Sequence, residues 1–189
     1  MLNKTLKKTL ISVFFIACSS SLQAKLPDSC PTLAQLEHSK VQSDTLDWLP
    51  DGDTIYTKED KKLRLLNINT PEINPTSNKP AEPFSRAAKE RLIELIGSSK
   101  IIYWISDQRK KDKYKRELAL VFNSNGVFLN GQLVADGFAH TLLIPPNQKY
   151  WQCIVDAEKI ARQKNKKIWS VSEFKAKKAN QVKANQGFQ

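Results

Sequence analysis

Histidine and cysteine are scarce in this sequence, two and three among 189 residues, and that scarcity removes whole classes of metal chemistry. His38 and His140 stand far apart, and Cys18, Cys30 and Cys153 have none of the short spacings by which proteins hold zinc. Long apolar runs are missing too: the longest, Leu10 to Cys18, falls far short of the roughly 20 residues that a membrane-spanning helix needs. Acids are outnumbered, 19 Asp and Glu against 30 Lys and Arg, for a formal charge of +11. No stretch repeats, and the length suits one domain with one hydrophobic core.

What is present begins with order at the N-terminus. Lys4, Lys7 and Lys8 precede the apolar run, and small polar residues then lead to Ala24, the arrangement of a secretory signal over residues 1–24. An alternative is a lipoprotein box ending at Cys18, which would carry the acyl anchor. Removing the three leader lysines leaves +8, and four more lysines after Phe174 leave the core near +4. A polyanionic partner fits this balance, and so does a solvated surface with a disordered basic tail over 173–189. Either form of export places the chain in an oxidising compartment, outside the cell or in a periplasm. There Cys30 and Cys153 are candidates for a disulfide tying the N-terminal arm, 25–44, to the last helix.

Hydrophobic periodicity outlines the domain expected over 45–172. The runs TLDWLPDGDTIYT and KKLRLLNINT alternate like strands and are joined by the charged turn Lys58-Glu59-Asp60. Phe84, Ala88, Leu92, Leu95 and Ile96 recur at helical spacing behind Pro83, with Gly97 as the stop. Strands are expected at 100–106 and through ELALVF, a short helix capped by Asn130 ends at Gly137, and Phe138 to Ile144 is again strand-like. A last helix runs from about Tyr150 to Lys167, with Trp151, Ile154, Ala157 and Ala161 on one side. The pattern is α+β: a small barrel with flanking helices. Trp48, Trp104, Trp151 and Trp169 read as core or helix-packing residues, and His140 as a surface residue.

The chemistry concentrates in charged residues that interrupt these elements. DGDT places Asp51 and Asp53 around a glycine, an oxygen-only pair suited to a hard cation such as Ca²⁺ and equally ordinary in a turn. Arg64 lies inside an apolar strand, where a charge needs a partner: a carboxylate, or a phosphate that its fork of donors would match. Arg116 emerges where the charged loop re-enters the sheet, and Pro71 fixes the chain just before Glu72. Two arginines, one or two aspartates and a glutamate make up the set that phosphodiester hydrolysis requires: charge neutralisation, a metal and a base for water.

Together DGDTI (51–55), RLLNINTPE (64–72), DKYKR (112–116), LNGQLVADGFA (129–139) and KKIWS (166–170) resemble the staphylococcal nuclease (thermonuclease) family, in that family's order. The resemblance implies an OB-like five-stranded β-barrel with three helices. It also implies a monomeric Ca²⁺-dependent endonuclease on DNA and RNA, leaving 3′-phosphate and 5′-hydroxyl ends. By that resemblance Asp53, Asn69 and the Thr70 carbonyl hold the metal, with Asp51 in its outer shell. Glu72 orients or deprotonates water, Arg64 and Arg116 clamp the phosphate, and Lys113 and Tyr114 touch a terminal phosphate and sugar. The chain departs from the family in having Asn at 69 where Asp is usual, Lys115 in place of glycine, and Leu142, Leu143 and Ile144 where tyrosines lie. Asn69 also leaves open a second function, a nucleic-acid-binding module of the same fold with little turnover. A third is an envelope protein using its lysine tail.

Overall fold

A computed structural model describes residues 24–73, 80–176 and 178. The expected leader with Cys18, and most of the basic tail, lie outside the described residues. Seven strands occur among the described residues, in chain order: β1 (Gln42–Trp48), β2 (Thr54–Thr57), β3 (Lys62–Leu65), β4 (Ile68–Asn69), β5 (Ile101–Ile105), β6 (Glu117–Asn123) and β7 (His140–Thr141). Five of them close a barrel in the order β1-β2-β3-β6-β5, while β4 and β7 form a separate antiparallel pair. Within the barrel only β3 and β6 run parallel, with Arg64 opposite Leu118. The barrel starts at Gln42, which pairs with Trp104, so the first strand reaches into the stretch read as an arm. The run TLDWLPDGDTIYT is two strands, because Leu49 to Asp53 turn the chain between β1 and β2.

Alternation places the side chains. In β2 and β3, Ile55, Leu63 and Leu65 point inward and are fully buried, whereas Tyr56, Lys62 and Arg64 take the outer face. Each such buried aliphatic side chain contributes about 1.5–3 kcal/mol. In β6, Leu118 to Phe122 are all buried, because a helix covers the outer face as the barrel interior fills the other.

Three helices flank the barrel: α1 (Ser85–Ile96), α2 (Leu129–Ala135) and α3 (Trp151–Gln163). The stripe Ala88, Leu92, Leu95 and Ile96 of α1 is buried. α3 stops at Gln163, before the expected Lys167. Asn130 does not cap α2; it lies inside the helix, fully buried, where its Oδ1 accepts from Val121 N–H at 2.9 Å and its amide donates to Leu66 O and Ala119 O at 3.0 and 3.1 Å. That amide fastens the end of β3 and the middle of β6 to the helix. After α2 the chain reverses at Gly137, φ +81°, where a Cβ would stand 2.6 Å from that of Lys166. The Cys30–Cys153 disulfide, Cα atoms 4.7 Å apart, joins the N-terminal segment to α3. Residues 172–176 are helical, so the tail begins as structure. No helix among the described residues is long and apolar enough to cross a membrane.

Candidate active site

The DGDT turn is pressed against α1. A Cβ on Gly52 would lie 2.8 Å from that of Ala88 and 3.0 Å from Thr70 Cγ2, so the absence of a side chain lets the acid turn reach the helix and the Asn69-Thr70 segment together. Asp51 Oδ1 then accepts from Asp53 N–H at 3.0 Å. Asp53 is buried and its Oδ2 accepts from both Thr70 N–H, 2.8 Å, and Thr70 Oγ1, 3.1 Å. Its Oδ1 lies 3.3 Å from Arg64 Nε.

Arg64 is buried in this cluster and opposite Thr54 in the β2–β3 pairing. Its guanidinium donates to Leu65 O, to Ile68 O at 2.9 Å and to Asn69 Oδ1 at 2.9 Å. Three of its N–H groups are thus spent on the protein. Arg116 is held differently. Its Nε donates to Asp112 Oδ2 at 2.8 Å, a pair across one turn of the DKYKR loop, and its Nη1 lies 3.4 Å from Thr54 Oγ1. The rest of this fork is open, and Tyr114, 66% exposed, lies under it with its ring centre 5.6 Å from the guanidinium carbon. The Thr54 hydroxyl lies 3.4 Å from Asp53 Oδ1 and so links the two arginines.

Glu72 lines a cavity of about 340 Å³ together with Asn69, Thr70, Glu82, His140 and Phe174 among others. Its backbone is clasped by Glu82: Glu72 N–H donates to Glu82 Oε2 at 3.0 Å, and Glu82 N–H donates back to Glu72 O at 2.9 Å. Partial burial raises the Glu72 pKa above the usual glutamate value, and the negative charges of Asp53 and Asp51 push it further in the same direction. Burial likewise raises Asp51, with the Asp53 charge adding to it. The acids therefore repel one another.

The structure gathers Asp51, Asp53, Arg64, Asn69, Thr70 and Glu72 along one edge of the barrel, with Arg116 joined to them through Thr54. Lys113 and Tyr114 follow on the loop beside Arg116, the Lys113 ammonium 5.0 Å from the Tyr114 ring centre. Lys115 has φ +64°, a conformation that glycine occupies without strain. Several participants were not legible in the sequence: Thr54, Glu82, Phe174 and Lys178. Asp112 could have been found from its i,i+4 spacing to Arg116. His140 is not on the surface. It pairs with Asn69 across β4 and β7, is 8% exposed, and burial drops its pKa to about 4.

The donor chemistry bears on a metal. Asp53, Asp51 and the Thr70 carbonyl offer hard oxygens, and mutually repelling carboxylates accommodate a dication. Asn69, however, has both amide atoms engaged: Oδ1 accepts from Arg64, and Nδ2 donates to Thr70 O at 3.1 Å. Among the described residues, no three His, Cys, Asp or Glu side chains close around one point. The donor set fits a hard cation in type, and the amide of Asn69 stands over one of its carbonyls.

A closed OB-like barrel with an α+β complement, bearing an acid-rich edge flanked by arginines, defines the class. The model of the staphylococcal nuclease homologue family matches residues 62–171, and the chain belongs to that family. Among its relatives, it is 35% identical to the thermonuclease of Staphylococcus intermedius over 123 residues, 63% of this chain and 71% of that one. The thermonuclease of Staphylococcus hyicus is 35% identical over 124 residues, 64% and 71% of the two chains. Endonuclease YncB of Bacillus subtilis is 32% identical over 145 residues, 72% and 68%.

Proposed function

We propose that this protein is an exported, calcium-dependent endonuclease that hydrolyses phosphodiester bonds of DNA and RNA, acts as a monomer, and leaves 3′-phosphate and 5′-hydroxyl ends. The observation that carries the reading is the surplus of acid on the barrel edge: burial and the neighbouring Asp53 charge raise the proton affinity of Asp51 and of Glu72 beside a single buried arginine, with a second, open guanidinium one hydroxyl away. Calcium held by Asp53, with the Thr70 carbonyl and Asp51 in support, would neutralise that surplus and polarise the substrate phosphate. Glu72, its proton affinity raised toward working pH, accepts the proton of the attacking water. Arg116, whose Nη1 reaches Thr54, offers the rest of its fork to the phosphate and stabilises the charge that builds there. Arg64 keeps Asp53 and Asn69 in place and retains at most a partial fork for substrate. Export is supported by the order of residues 1–24 and by the Cys30–Cys153 bond, a feature of oxidising compartments.

One observation favours a binding module instead: the Asn69 amide donates to the carbonyl that a cation would use. The deciding experiment incubates the protein with plasmid and single-stranded DNA in millimolar calcium, with and without chelator. Chelator-sensitive cleavage that is lost in Glu72→Gln supports the nuclease. Binding without cleavage at any calcium concentration selects the module.

A further inference from the structure

Trp48, expected in the core or packed on a helix, is 49% exposed. It sits opposite Tyr56 in the β1–β2 pairing, and the two rings stack with centres 4.5 Å apart and planes 25° from parallel. Lys62, the partner of Tyr56 across β2 and β3, holds its ammonium 5.2 Å from the Tyr56 ring centre. A cation, a phenol and an indole thus form one stack on the outer face of the barrel, and half of the indole is left to water.

This stack lies beside the acid-and-arginine edge. Tyr56 is two residues along β2 from Thr54, the hydroxyl that Arg116 approaches at 3.4 Å, and side chains two apart share a face of a strand. That separation is about 7 Å along the strand, and Trp48 lies one strand further, about 5 Å away. A strand of nucleic acid advances roughly 3.4 Å per nucleotide when its bases are stacked, so the indole is within a few nucleotides of the scissile phosphate. Tyr114, Arg116, Tyr56, Trp48 and Lys62 combine aromatic platforms with cations, the composition of surfaces that hold single strands without reading sequence.

We propose that Trp48, backed by Tyr56 and Lys62, is a stacking subsite for an unpaired base of a single-stranded substrate, a few nucleotides from the bond that is cut. The subsite rests on the nuclease reading for its purpose but not for its test. A cross-strand packing role alone needs only apolar cover on Tyr56, which leucine provides; stacking needs a ring.

The test measures binding of labelled single strands to the full chain by anisotropy in chelator, where nothing is cleaved. Trp48→Leu should weaken binding of a strand of about 16 nucleotides by roughly tenfold, leave a trinucleotide unaffected, and keep the wild-type melting temperature. Trp48→Phe should retain most of the affinity. In calcium, Trp48→Leu should raise KM on the long strand and leave kcat alone. Wild-type affinity of Trp48→Leu for the long strand, or equal weakening for both lengths, would overturn the subsite. A wild-type protein that binds but never cleaves would instead defeat the nuclease reading and leave this comparison intact.

Discussion

Two arginine–aspartate pairs among the described residues, one buried and one partly buried, are built to opposite ends. Arg91 donates through Nε and Nη2 to Asp136 Oδ2 at 3.0 and 2.8 Å and through Nη1 to Glu94 at 2.9 Å. The other oxygen of Asp136 accepts from Ala24 N–H at 3.1 Å, with the Lys166 ammonium 4.0 Å away. Two cations meet two acids, and the cluster is closed. Around Arg64 and Asp53 the same ion pair is embedded in excess acid, and Asp51 and Glu72 are both pushed toward their protonated forms by burial and by neighbouring carboxylates. A closed cluster joins elements of the fold. An unbalanced one stores a demand for positive charge, from a metal or a protonated group, and that demand marks the site.

The sharpest way to break this comparison is to remove one member on each side. Glu72→Gln and Arg116→Ala should each slow cleavage by about two to four orders of magnitude while leaving the melting temperature unchanged, since both side chains are partly open. Arg91→Leu should do the reverse. Stranding buried Asp136 without its partner costs roughly 3–5 kcal/mol, read as a lowered denaturation midpoint, while kcat per folded molecule stays at the wild-type value. Arg64→Ala belongs to both classes, because its guanidinium serves two backbone carbonyls as well as Asp53 and Asn69, so both stability and rate should fall. A fully stable Arg64→Ala would show that the two clusters do not differ in the way the charges suggest.

A smaller effect comes from His140, behind the acid edge. Its imidazole is neutral in the fold, with Nδ1 2.8 Å from Thr141 O, and takes a proton only near pH 4, whereas the unfolded chain takes one near 6.5. Below about 6.5 the unfolded state binds more protons, so stability falls as pH drops toward 4, by about 3 kcal/mol for a shift of this size. The acids Asp51 and Glu72 work in the other direction, since their raised pKa values let the native state gain protons first. The His140 contribution is therefore the difference between wild type and His140→Gln in denaturant midpoints across pH 4–7. That difference should shrink steadily with acidity. Parallel curves would mean that the imidazole takes its proton in the fold as readily as in the unfolded chain.

The barrel strands and the three helices were legible because apolar spacing reports directly on which face is buried. The stripe of α1 and the alternation of β3 needed nothing from the rest of the chain. Asp51, Asp53, Arg64, Glu72 and Arg116 were read as a set from their joint chemistry, Arg64 inside an apolar strand and the others in turns and loops, and the fold brings them to one edge. What escaped was decided by tertiary neighbours. Asn130 carries a capping residue's chemistry but spends it on Val121, Leu66 and Ala119, which lie near only in space. Trp48 and His140 exchanged places with expectation: an indole on an outer barrel face stayed in water, while an imidazole on a two-residue strand was covered by Phe174, whose ring centre lies 5.6 Å away. Phe174 itself comes from a segment whose lysines made it read as tail.

Asn69 gives the finest adjustment of the contrast between closed and unbalanced charge. Its Oδ1 accepts from Arg64 and its Nδ2 donates to Thr70 O, so the amide closes part of a cluster that is otherwise open. Asn69→Asp keeps the acceptor for Arg64 but turns the second atom from a donor into a charged oxygen facing a carbonyl oxygen. Two acceptors then meet with no hydrogen between them, an arrangement that a dication relieves and its absence leaves repulsive. The substitution should lower the melting temperature in chelator and raise it in calcium. It should also reduce the calcium needed for half-maximal cleavage by about tenfold, since ligand charge helps to set calcium affinity. Asn69→Ala, lacking both atoms, should lose stability in chelator without gaining any response to calcium. An Asn69→Asp protein that melts like the wild type in chelator and needs the same calcium would place that side chain away from the ion.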